Sequence, residues 1–315
     1  MGIQNQAALD TANAAFYELI DELFAGGSAP GPWREFCDLR PTDAKVNELD
    51  ILESMPAIRE WSGSKLFPDM LASTLSATVK AYERSFAIKR LDLETNRSGQ
   101  IARRIAAFLQ DAGQIYDKLA FAELTANNTC YDGVALFSAS HPRGPAGATQ
   151  SNITTSALSF ATYESALIAM QGLRDASGEP LGINPNVMIC GPKTRKDALE
   201  ITNSRDRLKA VDASGAESGT RVAAAAVDNV FGGGEMTVFV SPRLTGSYDD
   251  HVYLLDTTKA GVSPIVGFEK RAPEGIDQTD MSGDGRFMND ELRYSVECDV
   301  VFAPGAWQVA HGFIL

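Results

Sequence analysis

An α+β fold is predicted by three features of this 315-residue chain. The stretch Thr95–Ala126 repeats apolar residues at helical spacing over an unusual length. Near the C-terminus, Leu292–Phe302 alternates apolar and polar residues as a half-buried strand does. Between them lie short apolar strands, Val187–Cys190, Thr237–Val240 and Val252–Leu255, separated by turn-rich sequence.

The elements follow in order. Leu9, Phe16, Leu19, Ile20 and Leu23 share three- and four-residue spacing, which predicts a helix over 3–25 ended by Gly26-Gly27. Ser28-Ala29-Pro30-Gly31-Pro32 offers few backbone donors and reads as an extended connector. Trp33 and Phe36 then read as anchors on an arm that lies against its own chain or a neighbour. Residues 61–90 turn towards strand composition: Phe86 and Ile88 alternate with Ser85, Ala87 and Lys89. Too little of this segment is apolar for a core strand pair, so it reads as a two-stranded excursion from the body. Such a hairpin is marginal in water and gains order on assembly.

The helix over Thr95–Ala126 has Ile101, Ile105, Phe108, Leu109, Ala112, Ile115, Leu119 and Ala122 on one stripe. At 1.5 Å per residue it is roughly 45 Å long. Gly113 inside it costs about 1 kcal/mol relative to alanine, which points to a close packing neighbour. Residues 138–156 are polar and rich in Pro, Gly, Ser and Thr, a linker by composition. A helix over Phe160–Leu173, a helix opening at Pro192, a charged loop over 203–220 and a last strand around Trp307–Phe313 complete the pattern.

Composition narrows the function. The chain has 28 basic and 41 acidic residues, a net charge of −13, whereas a protein that grips nucleic acid needs clustered Lys and Arg. Cys37, Cys130, Cys190 and Cys298 are widely separated, which excludes local zinc-ligand pairs. The opening residues lack a signal-peptide pattern, so disulfides are not expected and a reducing cytoplasm is. No apolar run approaches the ~20 residues of a membrane span.

Chemical motifs are sparse. Cys190-Gly191-Pro192-Lys193-Thr194 lacks the frame of a phosphate loop and reads as a strand-to-helix turn. Phe231-Gly232-Gly233-Gly234-Glu235 reads as a flexible turn, and Asp132-Gly133 as a tight one. Ser282-Gly283-Asp284-Gly285 has too few carboxylates for a calcium loop. His141 precedes a proline with no nearby Ser, Cys or carboxylate constellation, His251 and His311 sit in strand edges, and all three read as turn or sheet histidines. No catalytic, cofactor-binding or metal-binding residue is assigned.

The most informative residues form an ordered series of motifs. Ile58-Arg59-Glu60-Trp61-Ser62-Gly63 is followed by Ser85 to Asp92. The long helix then leads into Cys130-Tyr131-Asp132-Gly133-Val134-Ala135-Leu136-Phe137 and Ser140-His141-Pro142. This order resembles the Mu-like major head subunit family of tailed bacteriophages. The resemblance covers 58–142 with specific motifs and 180–315 by element order. It implies an α+β Hong Kong 97-type capsid fold: an N-terminal arm (1–60), an extended β-hairpin loop (61–92), a peripheral domain with a long spine helix (93–150 and 286–303) and an axial domain (151–285 and 304–315). Implied inter-subunit contacts are Trp33, Phe36, Trp61, Lys65, Phe67, Arg84, Phe86, Lys89 and Arg90. Implied partners are further copies in hexamers and pentamers, a scaffolding protein and portal during assembly, a possible decoration protein, and packaged DNA through weak non-specific contact. No cofactor and no membrane is implied.

The resemblance places the protein in the virion, after assembly in the host bacterial cytoplasm. No long charged, helical precursor segment precedes the arm, which suggests either a separate scaffolding protein, as the resemblance implies, or a chain already in its mature form; Met1 favours the first. Some shells of this fold crosslink through a Lys–Asn isopeptide bond, for which Lys65 and Asn289 are the candidates. Without an identified buried carboxylate to deprotonate the lysine, a solvated Lys and a turn Asn are the better reading. An encapsulin-like nanocompartment shell shares the fold and is the alternative; a soluble enzyme is supported only by the mixture of helices and strands.

Overall fold

The computed structural model describes residues 3–24, 31–52, 72–89, 91–92, 100–143, 148–175, 178–211, 223–234, 236–259, 261–279 and 290–315. Helix α1 (Ile3–Leu23) is followed by a 3-10 turn (Pro32–Glu35), β1 (Cys37–Pro41), β2 (Val46–Leu52), β3 (Ala72–Thr78) and β4 (Lys80–Lys89). Next come α2 (Gln100–Ala112), α3 (Ile115–Ala126), and the short strands β5 (His141–Pro142), β6 (Thr149–Gln150) and β7 (Ile153–Thr154). Then follow α4 (Phe160–Gln171), β8 (Val187–Cys190), α5 (Arg195–Thr202), β9 (Asp206–Val211), β10 (Ala223–Asp228) and β11 (Thr237–Val240). The chain ends with β12 (Val252–Leu255), β13 (Ile265–Gln278), β14 (Glu291–Pro304) and β15 (Ala310–Phe313).

Contacts divide the chain into two compact units: 1–49 with 76–123 and 266–303, and 50–75 with 124–265 and 304–315. Most of β13 therefore belongs to the first unit.

The first unit is built on a four-stranded sheet in the order β1-β13-β14-β4. Along β14 the even-numbered residues from Leu292 to Phe302 are buried while the odd-numbered ones remain partly exposed. Helix α1 packs on this buried face. Phe16, wholly inaccessible, lies 5.0 Å from the Tyr294 ring, and the Tyr294 hydroxyl donates to Asn13 Oδ1 at 2.7 Å. Gly275 of β13 is what lets the helix come so close: a Cβ there would run into Ile20 Cδ1 and stand 2.9 Å from Phe16 Cε1.

Three expectations are corrected here. The spine is two helices, because the backbone turns at Gly113-Gln114. A Cβ on Gly113 would stand 2.8 Å from Leu23 Cδ2, which is the close neighbour the glycine predicted. Second, β4 is not half of a projecting hairpin. It pairs antiparallel with β14 over ten positions, from Glu291 opposite Lys89 to Val300 opposite Lys80, while β3 pairs with β2. Third, the N-terminal segment buries itself at home: Phe16, Ile20, Phe24, Trp33 and Phe36 are all buried within the single chain.

The second unit holds a five-stranded mixed sheet in the order β11-β8-β12-β15-β7. Its middle strands, β8 and β12, are buried on both faces, as their continuous apolar sequences require. Helix α4 begins at a capping box: Ser159 Oγ accepts the Thr162 amide, and Thr162 Oγ1 accepts the Ser159 amide. The linker expected over 138–156 supplies β5, β6 and β7 instead, and the charged loop expected over 203–220 includes β9, paired antiparallel with β10.

Gly275→Val should destabilise the unassembled subunit by about 1–3 kcal/mol through overpacking against α1. Urea denaturation followed by tryptophan fluorescence measures this, and an unchanged midpoint would remove the glycine from its proposed role.

Candidate assembly surfaces

Of the nine contact candidates, Trp61, Lys65, Phe67 and Arg90 lie outside the described residues, as does Asn289. Trp33 packs edge-on against Tyr116 and Phe302, and Phe36 against Phe121. At 2% and 1% exposure they have no surface to offer a neighbour, so these two are anchors of their own subunit. Their aromatic rings bury more apolar area at home than an arm lying free could, and burial of that area favours the intramolecular site.

Arg84, Phe86 and Lys89 lie on β4, the edge of the four-stranded sheet. Phe86 is stacked on Tyr294 at 5.2 Å and tilted against Phe108 at 4.5 Å. Arg84 is paired with Asp111 and stands over the Phe108 ring at 5.3 Å. Both ends of that ion pair are about half exposed, so it contributes only about 0–1 kcal/mol. Lys89 is exposed at the end of the strand. A second positive centre, Arg271 on β13, reaches Glu274, Glu297 and Asp299 on the partly exposed side of the sheet.

The second unit contains a polar hub that sequence reasoning missed. His141, completely buried, stacks on Trp307 with ring centroids 4.1 Å apart and planes 6° from parallel. Its Nδ1–H donates to Asp132 Oδ2 at 2.6 Å, and its Nε2 stands 3.1 Å from Asn152 Oδ1. Asn152 Oδ1 also accepts the Ser138 amide, while its Nδ2 donates to the carbonyls of Leu136, Trp307 and Ala310. Asn127 adds a clamp, accepting the Phe137 amide and donating to the Phe137 carbonyl.

The Asp–His pair invites comparison with half of a catalytic triad. Where a triad has a hydroxyl or thiol on Nε2, an amide oxygen stands here, and the ring is sealed from solvent. The neighbouring Cys130 donates its Sγ–H to the Gly305 carbonyl at 2.9 Å, and burial pushes the thiol up to about 12. Among the described residues no cluster of His, Cys, Asp and Glu is arranged to hold a metal ion. His311, on β15 between β12 and β7, is likewise buried; its Nε2 meets Thr154 Oγ1 at 2.9 Å and desolvation lowers its pKa to about 4.

An open groove lies elsewhere in the second unit, between α4 and the turn that follows β10. Phe160, Tyr163, Leu167, Pro185, Phe231 and Met236 are among its lining residues. Ile168 and Val230, also lining it, are 65% and 89% exposed. The turn is held rigid by Asn229, whose Nδ2 donates to the carbonyls of Glu200, Ile201 and Ser204.

The sequence model of the phage capsid protein family matches residues 72–310, most of the chain and parts of both units. The chain belongs to that family. It is 28% identical over 138 residues to the Mu-like prophage FluMu major head subunit of Haemophilus influenzae, covering 40% of this chain and 45% of that protein. It is 29% identical over 126 residues to the major capsid protein of Escherichia phage Mu, covering 39% and 41%. The match thus spans less than half the length of these curated relatives. The subunit of the bacteriophage JBD30 procapsid superposes with a TM-score of 0.57 at 21% identity, over 98% of this chain and 75% of that one. The fold is therefore the Hong Kong 97-like capsid fold expected from the motifs.

Asn152→Ala should lower subunit stability by at least about 3 kcal/mol, because three carbonyls and one amide lose their buried partner; chemical denaturation measures it, and a loss under about 1 kcal/mol would show the hub to be dispensable. His311 binds a proton more weakly folded than unfolded. Its contribution to stability is full above the ordinary histidine range and is lost as pH falls from about 6.5 towards 4. On the order of 3 kcal/mol is at stake. Melting temperatures across that window should fall less steeply in His311→Gln than in the natural chain; parallel curves would contradict the assignment.

Proposed function

We propose that this chain is a major capsid protein whose copies tile the icosahedral head enclosing the double-stranded DNA of a tailed bacteriophage. The observation that carries the reading is the family match over 72–310, which reaches from β3 to the last strand and takes in elements of both units. The names of the two curated relatives, a major head subunit and a major capsid protein, support the same reading and set the nanocompartment alternative aside.

The physical character of the chain suits that task. A wall around DNA has to surround a polyanion without gripping it, and 41 acidic against 28 basic residues weaken non-specific phosphate binding. Among the described residues no helix is long and apolar enough to cross a membrane. Hexamers and pentamers of the chain are the working assembly, with scaffolding protein, portal and a decoration protein as further partners. Lys89 and the edge of β4 are the described candidates for contact with neighbouring copies; Trp61, Lys65, Phe67 and Arg90 are candidates outside the described residues.

Expression of the full chain, alone and with the genes beside it, should give capsomers or closed shells visible by negative-stain electron microscopy, and particles from infected cells should hold nuclease-protected DNA. A strictly monomeric chain under both conditions, even at high concentration, would overturn the proposal.

A further inference from the structure

Two exposed patches of charge on the first unit have no partner inside it. Glu18, Asp21 and Glu22 stand at i, i+3 and i+4 of α1, so they share one exposed face near its end. Like charges at that spacing repel. The C-terminus of a helix is also its negative end, yet the last turn of α1 carries two of these acids and no base. From residue 11 to residue 33 the sequence holds three acids and no lysine or arginine. Among the described residues none of the three acids makes an ion pair or a side-chain hydrogen bond. Asp111, an acid in the last turn of α2, differs in having Arg84 of its own subunit beside it.

The second patch has the opposite sign and is misplaced in the opposite sense. Arg103 closes the first turn of α2 and Arg104 follows, both exposed, at the end where a helix favours anions. No acid lies between Gln100 and Gln110, and among the described residues neither arginine is paired. Phe86 meets Phe108 and Arg84 meets Asp111, so β4 and α2 run side by side in opposite directions. Lys89 therefore ends β4 at the same end of the unit, where Asp92 is the one described acid between strand and helix. The two patches do not serve each other. Leu23, at the end of α1, lies against Gly113, ten residues beyond Arg103 and about 15 Å away along the helix. Exposed charges that far apart are largely screened.

We propose that the Arg103–Arg104 end of α2 in one copy meets the Glu18–Asp21–Glu22 face of α1 in a neighbouring copy. This inference rests on the shell-forming function proposed above. The arriving arginines sit at the negative end of α1 and the arriving acids at the positive end of α2, so side chains and helix ends are satisfied together. A polyanion such as packaged DNA neutralises the arginines but leaves the acidic face unmatched, whereas a second copy accounts for both. The contact joins two different surfaces of the same chain, and such a head-to-tail contact closes into a ring when its rotation divides a full turn. Exposed ion pairs are individually weak, so this contact sets register and partner choice more than affinity.

The test reverses charge in the full chain, expressed with the genes beside it. One variant carries Arg103→Glu with Arg104→Glu, a second Asp21→Arg with Glu22→Arg, and a third all four changes. Each reversal puts the favoured sign at its own helix end, so unassembled subunits should melt at or above the temperature of the natural chain. Particle yield, measured by sedimentation, should nevertheless fall at least about tenfold in the first and second variants, because like charges then face each other. In the third it should return to within about threefold of the natural chain, as coupled sites do in a double-mutant cycle. Neutral variants, Arg103→Gln with Arg104→Gln and Asp21→Asn with Glu22→Gln, repeat the comparison with a smaller expected loss of about threefold.

Reversal of either patch without loss of particles overturns the inference. So does a third variant that stays as defective as the first or second, which assigns the arginines to another partner such as the packaged DNA. A reversal that lowers the melting temperature of the subunit also overturns it, because the charges then hold their own subunit together. Failure of the natural chain to form any particle would instead remove the shell-forming function, which keeps the two outcomes apart.

Discussion

The alternation of β14 governs the first unit. Because side chains of a strand point to opposite faces in turn, Leu292, Tyr294, Val296, Cys298, Val300 and Phe302 form one continuous apolar face. A slip of one residue against β4 or β13 would send the whole set into water, so the register is fixed by burial. Everything else in this unit takes its place from that face. Tyr294 receives Phe16 from α1 and Phe86 from β4, and Phe302 receives Trp33 and Tyr116. On the adjacent strand Gly267 and Gly275 provide the clearance: a Cβ at Gly267 would stand 2.7 Å from Leu39 and 2.9 Å from Phe302.

The second unit is organised by a different force. Its 127–142 segment is largely irregular, so its backbone groups have few ladder partners, and an unpaired buried amide or carbonyl costs about 1–3 kcal/mol. Asn127, Asp132 and Asn152 meet that demand with side chains, and the His141 ring lies between the side chains of Asp132 and Asn152. Asn152 alone connects Leu136 and Ser138 to Trp307 and Ala310, joining a central segment to the C-terminal one across more than 150 positions of sequence. Directional bonds of this kind hold an irregular loop to one shape, where apolar packing alone would tolerate several.

These two modes explain what was legible in the sequence. Period-two alternation in Leu292–Phe302 and unbroken apolar runs in Val187–Cys190 and Val252–Leu255 are local signals, and each corresponds to an observed strand. Strand β13 is hard to read because Gly267, Pro273 and Gly275 interrupt its pattern, although its glycines are there to admit neighbouring side chains. The linker reading of 138–156 follows from its polar, glycine- and proline-rich composition. Composition is blind to His141 and Asn152 being wholly buried, since their partners come from distant positions. Trp33 and Phe36 are visible as anchors, but nothing local distinguishes a ring that docks on Tyr116 from one that docks on another subunit. The open groove combines α4 with residues some sixty positions later, and no motif marks it.

With Trp33 and Phe36 buried within the subunit, little large apolar area is exposed among the described residues. Exposed large apolar side chains are few and scattered among the described residues, with Ile168 and Val230 in one groove the clearest group. At about 25 cal/mol per Å², such patches give contacts that are individually modest. Net charge of −13 adds repulsion between copies, screened over about 8–10 Å at ordinary ionic strength. Modest attraction set against screened repulsion makes a single contact reversible, so a misplaced subunit can leave. A closed ring or shell multiplies the same contact around each copy, and the correct assembly becomes stable where an isolated pair is not. A subunit that folds its own core first and keeps only weak, directional surfaces for its neighbours is therefore suited to building a large shell without becoming trapped in wrong ones.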